Sequence, residues 1–181
     1  MNKQVQFVYQ IKKAGVAHGK LVIHDSTVPF EVTNVSNPLY DLLKGLVGLI
    51  YEPSHLWDEE NICWIDWYCD QKALKWILRT PDGKNINIKI LQLEDIFDES
   101  TAKVVLESTC KFTEFYQAII FELDHFIKEI GLLNYEQLWQ KDEFPLTYFL
   151  ILKKHLIEHG RWDASDTEGT NLFDEINLLQ A

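Results

Sequence analysis

The chain has 181 residues, 46% of them hydrophobic and 13% aromatic, which is enough for one well-filled core and short for two. A formal net charge of -11 and a pI near 4.9 argue against direct binding to nucleic acid or to an anionic membrane, where like charges repel, and suit a basic partner. The longest strongly apolar run, Phe144 to Leu152, falls far below the ~20 residues of a membrane span, and the residues Met1-Asn2-Lys3-Gln4-Val5-Gln6 lack the apolar core of a signal peptide.

Val5 to Lys12 and Gly19 to His24 read as two strands joined through Ala14-Gly15, and Val28 to Val32 as a third, with Pro29 placing it near an edge. Ser36-Asn37-Pro38 announces a helix, since Ser or Asn can cap and Pro is tolerated in the first turn. Leu39, Leu42, Leu43, Leu46, Val47 and Ile50 follow at helical spacing. Gly45 and Gly48 lie three apart on that helix and would let a neighbour approach closely. Glu52-Pro53 ends it.

The stretch from Ile62 to Gln92 organises the rest. Its runs Ile62 to Asp70, Ala73 to Arg79 and Asn85 to Gln92 are rich in aromatic and β-branched residues or alternate at period two, and Asp82-Gly83 is a hairpin signal. An antiparallel meander follows. Cys63, Ile65, Trp67 and Cys69 share one face with Leu74, Trp76, Leu78, Ile86, Ile88 and Ile90, and helices are expected to cover it. The other face carries Trp64, Asp66, Tyr68 and Asp70 with Lys75, Arg79, Asn87 and Lys89. Either those charges pair among themselves on a solvated face, or exposed aromatics among charges mark a binding surface. Under the second reading the binding residues are Trp64, Asp66, Tyr68, Asp70, Lys75 and Arg79. Acidic groups flank the meander: Glu52, Asp58, Glu59 and Glu60 before it, and Glu94, Asp95, Asp98 and Glu99 after it.

Lys103 to Leu106 reads as a strand. From Phe112 the period turns helical, with Tyr116, Ile119, Leu123 and Ile130 on one stripe and Gly131 at the stop; at about 19 residues, or ~28 Å, this helix is expected to cover the apolar face of the meander. Tyr135 to Gln140 reads as a short helix, and Phe144-Pro145 opens another that runs to His159. The fold class is therefore α+β, one domain over residues 1–160, with an acidic tail over 161–181 whose middle is mobile and whose Leu172, Phe173, Ile176, Leu178 and Leu179 can dock as a last helix.

Two constellations bear on chemistry. His155-Leu156-Ile157-Glu158-His159 fits the H-x-x-E-H form of inverted zinc peptidases, in which His155 and His159 would ligate and Glu158 act as base. Only Glu168 and Glu175 follow as third ligands, and a helix end whose histidines complement the C-terminal dipole explains the motif equally. Cys63, Cys69 and Cys110 lack C-x-x-C spacing and read as buried thiols in a reducing compartment, hence the cytoplasm. No cofactor motif is present, and no nucleophile can be assigned, a Cys paired with His125 included.

Two further patterns, Ser36-Asn37-Pro38-Leu39-Tyr40-Asp41-Leu42-Leu43 before a helix and Gly131-Leu132-Leu133-Asn134-Tyr135-Glu136-Gln137-Leu138-Trp139 followed by Phe144-Pro145, resemble small bacterial cytosolic domains encoded beside polymorphic toxins, some of which act as immunity proteins. The resemblance implies an α+β fold and a protein partner, and it transfers no catalytic residue. The function expected is noncatalytic protein binding, with neutralisation of a basic toxin domain as one form of it. A small metal-dependent hydrolase built on His155, Glu158 and His159 is the alternative.

Overall fold

Two tight turns fold the start of the chain on itself. The structure, a computed structural model, describes residues 5–52, 60–163 and 169–180. Strands β1 (Val5–Lys13), β2 (Val16–Ile23) and β3 (Ser26–Thr33) form an antiparallel sheet in that order, so β3, with Pro29, lies at an edge. Val5, Phe7, Tyr9, Leu21, Ile23, Val28, Phe30 and Val32 fill its inner face, and His18 and Glu31 meet at 3.1 Å on its outer one. β2 begins three residues earlier than the hydrophobic pattern suggests, because Val16 still pairs across to both neighbours.

A second antiparallel sheet takes β4 (Ile62–Cys69), β5 (Lys72–Arg79), β6 (Asn85–Leu93) and β7 (Lys103–Lys111) in order. The alternation assigns faces as the sequence requires: Ile65, Trp67, Leu74, Trp76, Leu78, Ile86, Ile88 and Ile90 are buried, and Trp64, Lys75, Arg79 and Lys89 lie on the opposite side. The β5–β6 turn is closed by the Asp82 carboxylate, which accepts from the backbone N–H of Lys84 at 2.8 Å and of Asn85 at 2.7 Å, with Gly83 in the left-handed region at φ +67°. β7 runs five residues beyond Leu106 and enters the next helix without a loop, Phe112 N donating to the Lys84 carbonyl at 2.9 Å.

Among the described residues five α-helices complete the α+β fold: α1 (Pro38–Tyr51), α2 (Phe112–Ile130), α3 (Leu132–Trp139), α4 (Leu146–Glu158) and α5 (Asn171–Leu178). The Asn37 side chain caps α1 by accepting from Tyr40 N at 3.3 Å. One correction concerns α2. Its stripe packs chiefly along β1, with Phe126 edge-on to Tyr9 at 5.5 Å, and meets the second sheet chiefly at β6 and β7. The apolar face of that sheet is closed instead by α1 and by the first sheet, where Phe30 meets Trp67 at 5.0 Å and Trp67 meets Trp76 at 4.6 Å. All of this burial belongs to one cluster.

The tail forms a last short helix against α2 and α3, with Leu172 packed on the core while Ile176, Leu178 and Leu179 stay exposed. Glu175 holds the start of α3, its carboxylate accepting from Leu132 N at 2.5 Å and Leu133 N at 3.0 Å, and Asn171 donates to the Glu129 carbonyl at 2.6 Å. Asp58, Glu59, Asp166 and Glu168 lie outside the described residues. Among those described, no helix is long and apolar enough to cross a membrane.

Candidate functional site

The two histidines of the H-x-x-E-H stretch do share a side of α4: their rings stack with centroids 4.2 Å apart. One nitrogen of each, Nδ1, is turned to a protein group. His155 Nδ1 lies 2.9 Å from the Tyr116 hydroxyl and His159 Nδ1 2.7 Å from the His155 carbonyl at the helix end. Burial, and secondarily the neighbouring His159, hold the His155 pKa below its ordinary value. Glu175 is committed to α3, and among the described residues no three His, Cys, Asp or Glu side chains gather as a metal site. Protein purified without chelator should therefore carry less than about a tenth of an equivalent of transition metal by elemental analysis, since a preformed tight site retains its ion. A stoichiometric metal lost on His155→Ala would reverse this.

The thiols are poor nucleophiles. Burial pushes Cys63 and Cys110 up to about 12, and burial with the Glu31 carboxylate at 3.3 Å pushes Cys69 up to about 11. Cys110 is buried as expected, but Cys63 and Cys69, expected to be buried too, are only half-buried, because β4 is the outermost strand of its sheet and its core-side residues sit at the rim. His125 is exposed and faces Glu129 at 3.7 Å.

On the outer face of the second sheet the six residues proposed from sequence divide into two groups. Arg79 pairs with Glu60 at 2.8 Å; Lys75, directly across from Asp66, reaches instead to Glu99 at 3.1 Å. Lys89 pairs with Glu107 at 3.3 Å, and at the rim of the opposite face, on the core-side row of β5, Lys72 pairs with Glu94 at 2.8 Å. The Glu94–Thr101 connector folds back over the outer face: Ile96 N donates to the Gln71 carbonyl at 2.8 Å, and Ala73 and Leu93 are buried. That end is closed by local charge pairing and offers little to a partner. Asp95 and Asp98 cap turns of the same connector, each accepting backbone N–H bonds. Asp70 sits in the β4–β5 turn at φ +53°, away from the rest.

Trp64, Asp66 and Tyr68 remain, and they come together beside α1. Trp64 is 68% exposed. Asp66 accepts only a long bond from the Tyr68 hydroxyl, 3.4 Å, and no lysine or arginine among the described residues pairs with it. Across a cleft of about 600 Å³ stands Asp41 in the first turn of α1, with Lys44, Gly48 and Glu52 further along the same wall. Burial raises the Asp41 pKa; Lys44 pulls it back in part, and Asp142 and Asp66 add to the rise. Two half-buried carboxylates facing one cleft are poised to accept a cation.

The chain matches no family model, no curated protein and no solved structure.

The site therefore rests on its own geometry. The spacing of α1 against β4 is fixed at both ends: Trp67 Nε1 donates to the Pro38 carbonyl at 3.1 Å, and Asn61 Nδ2 to the Leu49 carbonyl at 3.0 Å. Between them Gly45 lets the helix close on Cys63, for a Cβ there would stand 2.9 Å from its sulfur. Gly48 serves differently: a Cβ there would meet nothing within 4 Å, so it opens the cleft rather than tightening a contact. The sequence pattern did not pick out Asp41 as a site residue, because an acid in a first helical turn already has an explanation in the helix dipole.

Proposed function

We propose that this is a noncatalytic protein-binding protein that holds a basic partner on the surface formed by Trp64, Asp66, Tyr68 and Asp41. One observation carries this reading. The exposed Trp64 ring stands beside two carboxylates that make no ion pair among the described residues, on a face where Lys75, Arg79 and Lys89 are each matched to a glutamate. Unmatched negative charge beside a large exposed aromatic is the composition of an interface anchor, and a net charge of -11 favours rapid encounter with a positive surface. An immunity protein that occludes a basic toxin domain is one form of such a protein.

Calorimetric titration with the product of the adjacent reading frame tests the proposal. Trp64→Ala is expected to weaken the complex by a factor of about 30, equivalent to the ~2 kcal/mol of an interface anchor, and Asp66→Asn to slow association and flatten its salt dependence. The urea midpoint of Trp64→Ala should stay near that of the parent, because the ring is mostly in solvent. Full affinity in both variants would remove this surface from the interaction.

A further inference from the structure

Both sheets are open, so four strand edges need protection from chance pairing. Three have it. The N–H of Tyr9 on β1 is taken by the Glu122 carboxylate at 3.1 Å, β3 carries Pro29, and β7 is irregular, its pairing with β6 slipping between Ile90 and Leu91. Among the described residues β4 has no such device: it pairs with β5 in unbroken register from Ile62 to Cys69 and contains no proline.

The phase of its ladder follows from one hydrogen bond. Thr80 N donates to the Asn61 carbonyl at 2.9 Å, one step beyond the Ile62–Arg79 pair, so residues 61, 63, 65 and 67 turn their peptide groups to β5 and residues 62, 64, 66 and 68 turn theirs outward. The Tyr68 carbonyl agrees, since it accepts from Thr33 Oγ1 of the other sheet at 3.3 Å. Among the described residues, the outward peptide groups of Ile62, Trp64 and Asp66 have no protein partner. Five consecutive residues of β4, Ile62 to Asp66, line the cleft against α1, so the open edge is the cleft's own wall.

We propose that an extended segment of the basic partner adds to β4 as a further antiparallel or parallel strand of the second sheet, lying in the groove between β4 and α1. The proposal rests on the reading above that this surface binds a basic protein, and it specifies how. Free peptide groups at every second residue require an extended backbone. The side chains of Trp64 and Asp66 stand on the outer face, so alternate side chains of the added strand lie beside them. Those positions are lysine or arginine, their stems against the Trp64 ring and their charges at Asp66 and Asp41. The intervening side chains face α1 over Gly48.

The probe is a synthetic peptide, acetyl-Lys-Val-Lys-Val-Lys-Val-Lys-amide, with two isomers methylated on alternate backbone nitrogens, either those of the valines or those of the lysines. Binding is measured by calorimetry at low salt and by amide hydrogen exchange. The expected result is binding that protects the amides of Trp64 and Asp66, an affinity at least tenfold lower for one methylated isomer than for the other, and at least a tenfold loss in Gly48→Leu, whose added side chain enters the groove without disturbing the fold. Binding that leaves those amides unprotected, or that tolerates both methylation patterns or Gly48→Leu, overturns strand addition and leaves the basic-partner reading intact as contact by charge alone. Absence of peptide binding at millimolar concentration also overturns it. The adjacent-gene titration judges the broader reading separately.

Discussion

Asp124→Ala is expected to destabilise the protein by about 3–5 kcal/mol, the cost of removing the anion from a buried ionic cluster. Asp124 is 5% exposed on α2; its two carboxylate oxygens meet Lys128 at 2.8 Å and Lys153 of α4 at 2.5 Å. Lys153 also stands 4.7 Å above the Trp162 ring, which stacks on Phe121 at 4.4 Å. Burial opposes ionisation of Asp124, but the hydrogen bonds from the two lysines outweigh it and hold the carboxyl below the usual range. A depressed folded-state pKa stabilises the fold above the unfolded carboxylate value, and that stabilisation disappears as pH falls through the ordinary range to the lower folded value. Urea denaturation at a series of pH values should therefore show the gap between parent and Asp124→Ala fully open at neutral pH and closing in acid. The triple variant Asp124→Leu, Lys128→Met, Lys153→Met should recover most of the loss, because replacing all the charges leaves none buried without an anion. A gap independent of pH would mean that the effect is one of packing.

That cluster also shows where the sequence stops being informative. Asp124 and Lys128 sit four apart and look like any solvated helical pair; nothing local says that α4 and Trp162 cover them, or that Lys153, 29 residues on, supplies the second ammonium. The meander, by contrast, was legible almost to the residue, because period-two alternation is a property of the strand alone. Its faces followed as well, Trp76 inside and Trp64 outside. What covers the inner face did not, since sheet-on-sheet contact between Phe30 and Trp67 joins residues whose patterns each demand only some apolar neighbour. The candidate site divides in the same way. Trp64, Asp66 and Tyr68 were readable as one row of a pleat, whereas Lys75 and Arg79 were read with them because a row does not reveal that Glu99 and Glu60 fold back to claim the cations. Asp41 joined only through the placement of α1, a tertiary fact.

Gly19→Ala is expected to cost about 2–3 kcal/mol, although in a strand interior an added methyl group ordinarily helps by ~0.5–1 kcal/mol through reduced backbone freedom. Gly19 lies on β2 between Tyr9 and Phe30, both buried on the inner face. A Cβ there would fall 2.4 Å from the Phe30 ring and 1.8 Å from the carbonyl oxygen of Val8. The ring could rotate away only into a filled core, where it already contacts Phe7 at 5.8 Å and Trp67 at 5.0 Å. The carbonyl belongs to the neighbouring strand and moves only if β1 does, which would strain the bond from Tyr9 N to Glu122 that seals that edge. The penalty therefore propagates from the first sheet to α2. Gly48→Ala supplies the internal control: it makes the same chemical change at a helical site with nothing within 4 Å, and should raise the urea midpoint by the helix propensity of alanine over glycine, about 1 kcal/mol. Equal midpoints for the two variants would contradict the β1–β2–β3 register, since only that register lays Phe30 across position 19.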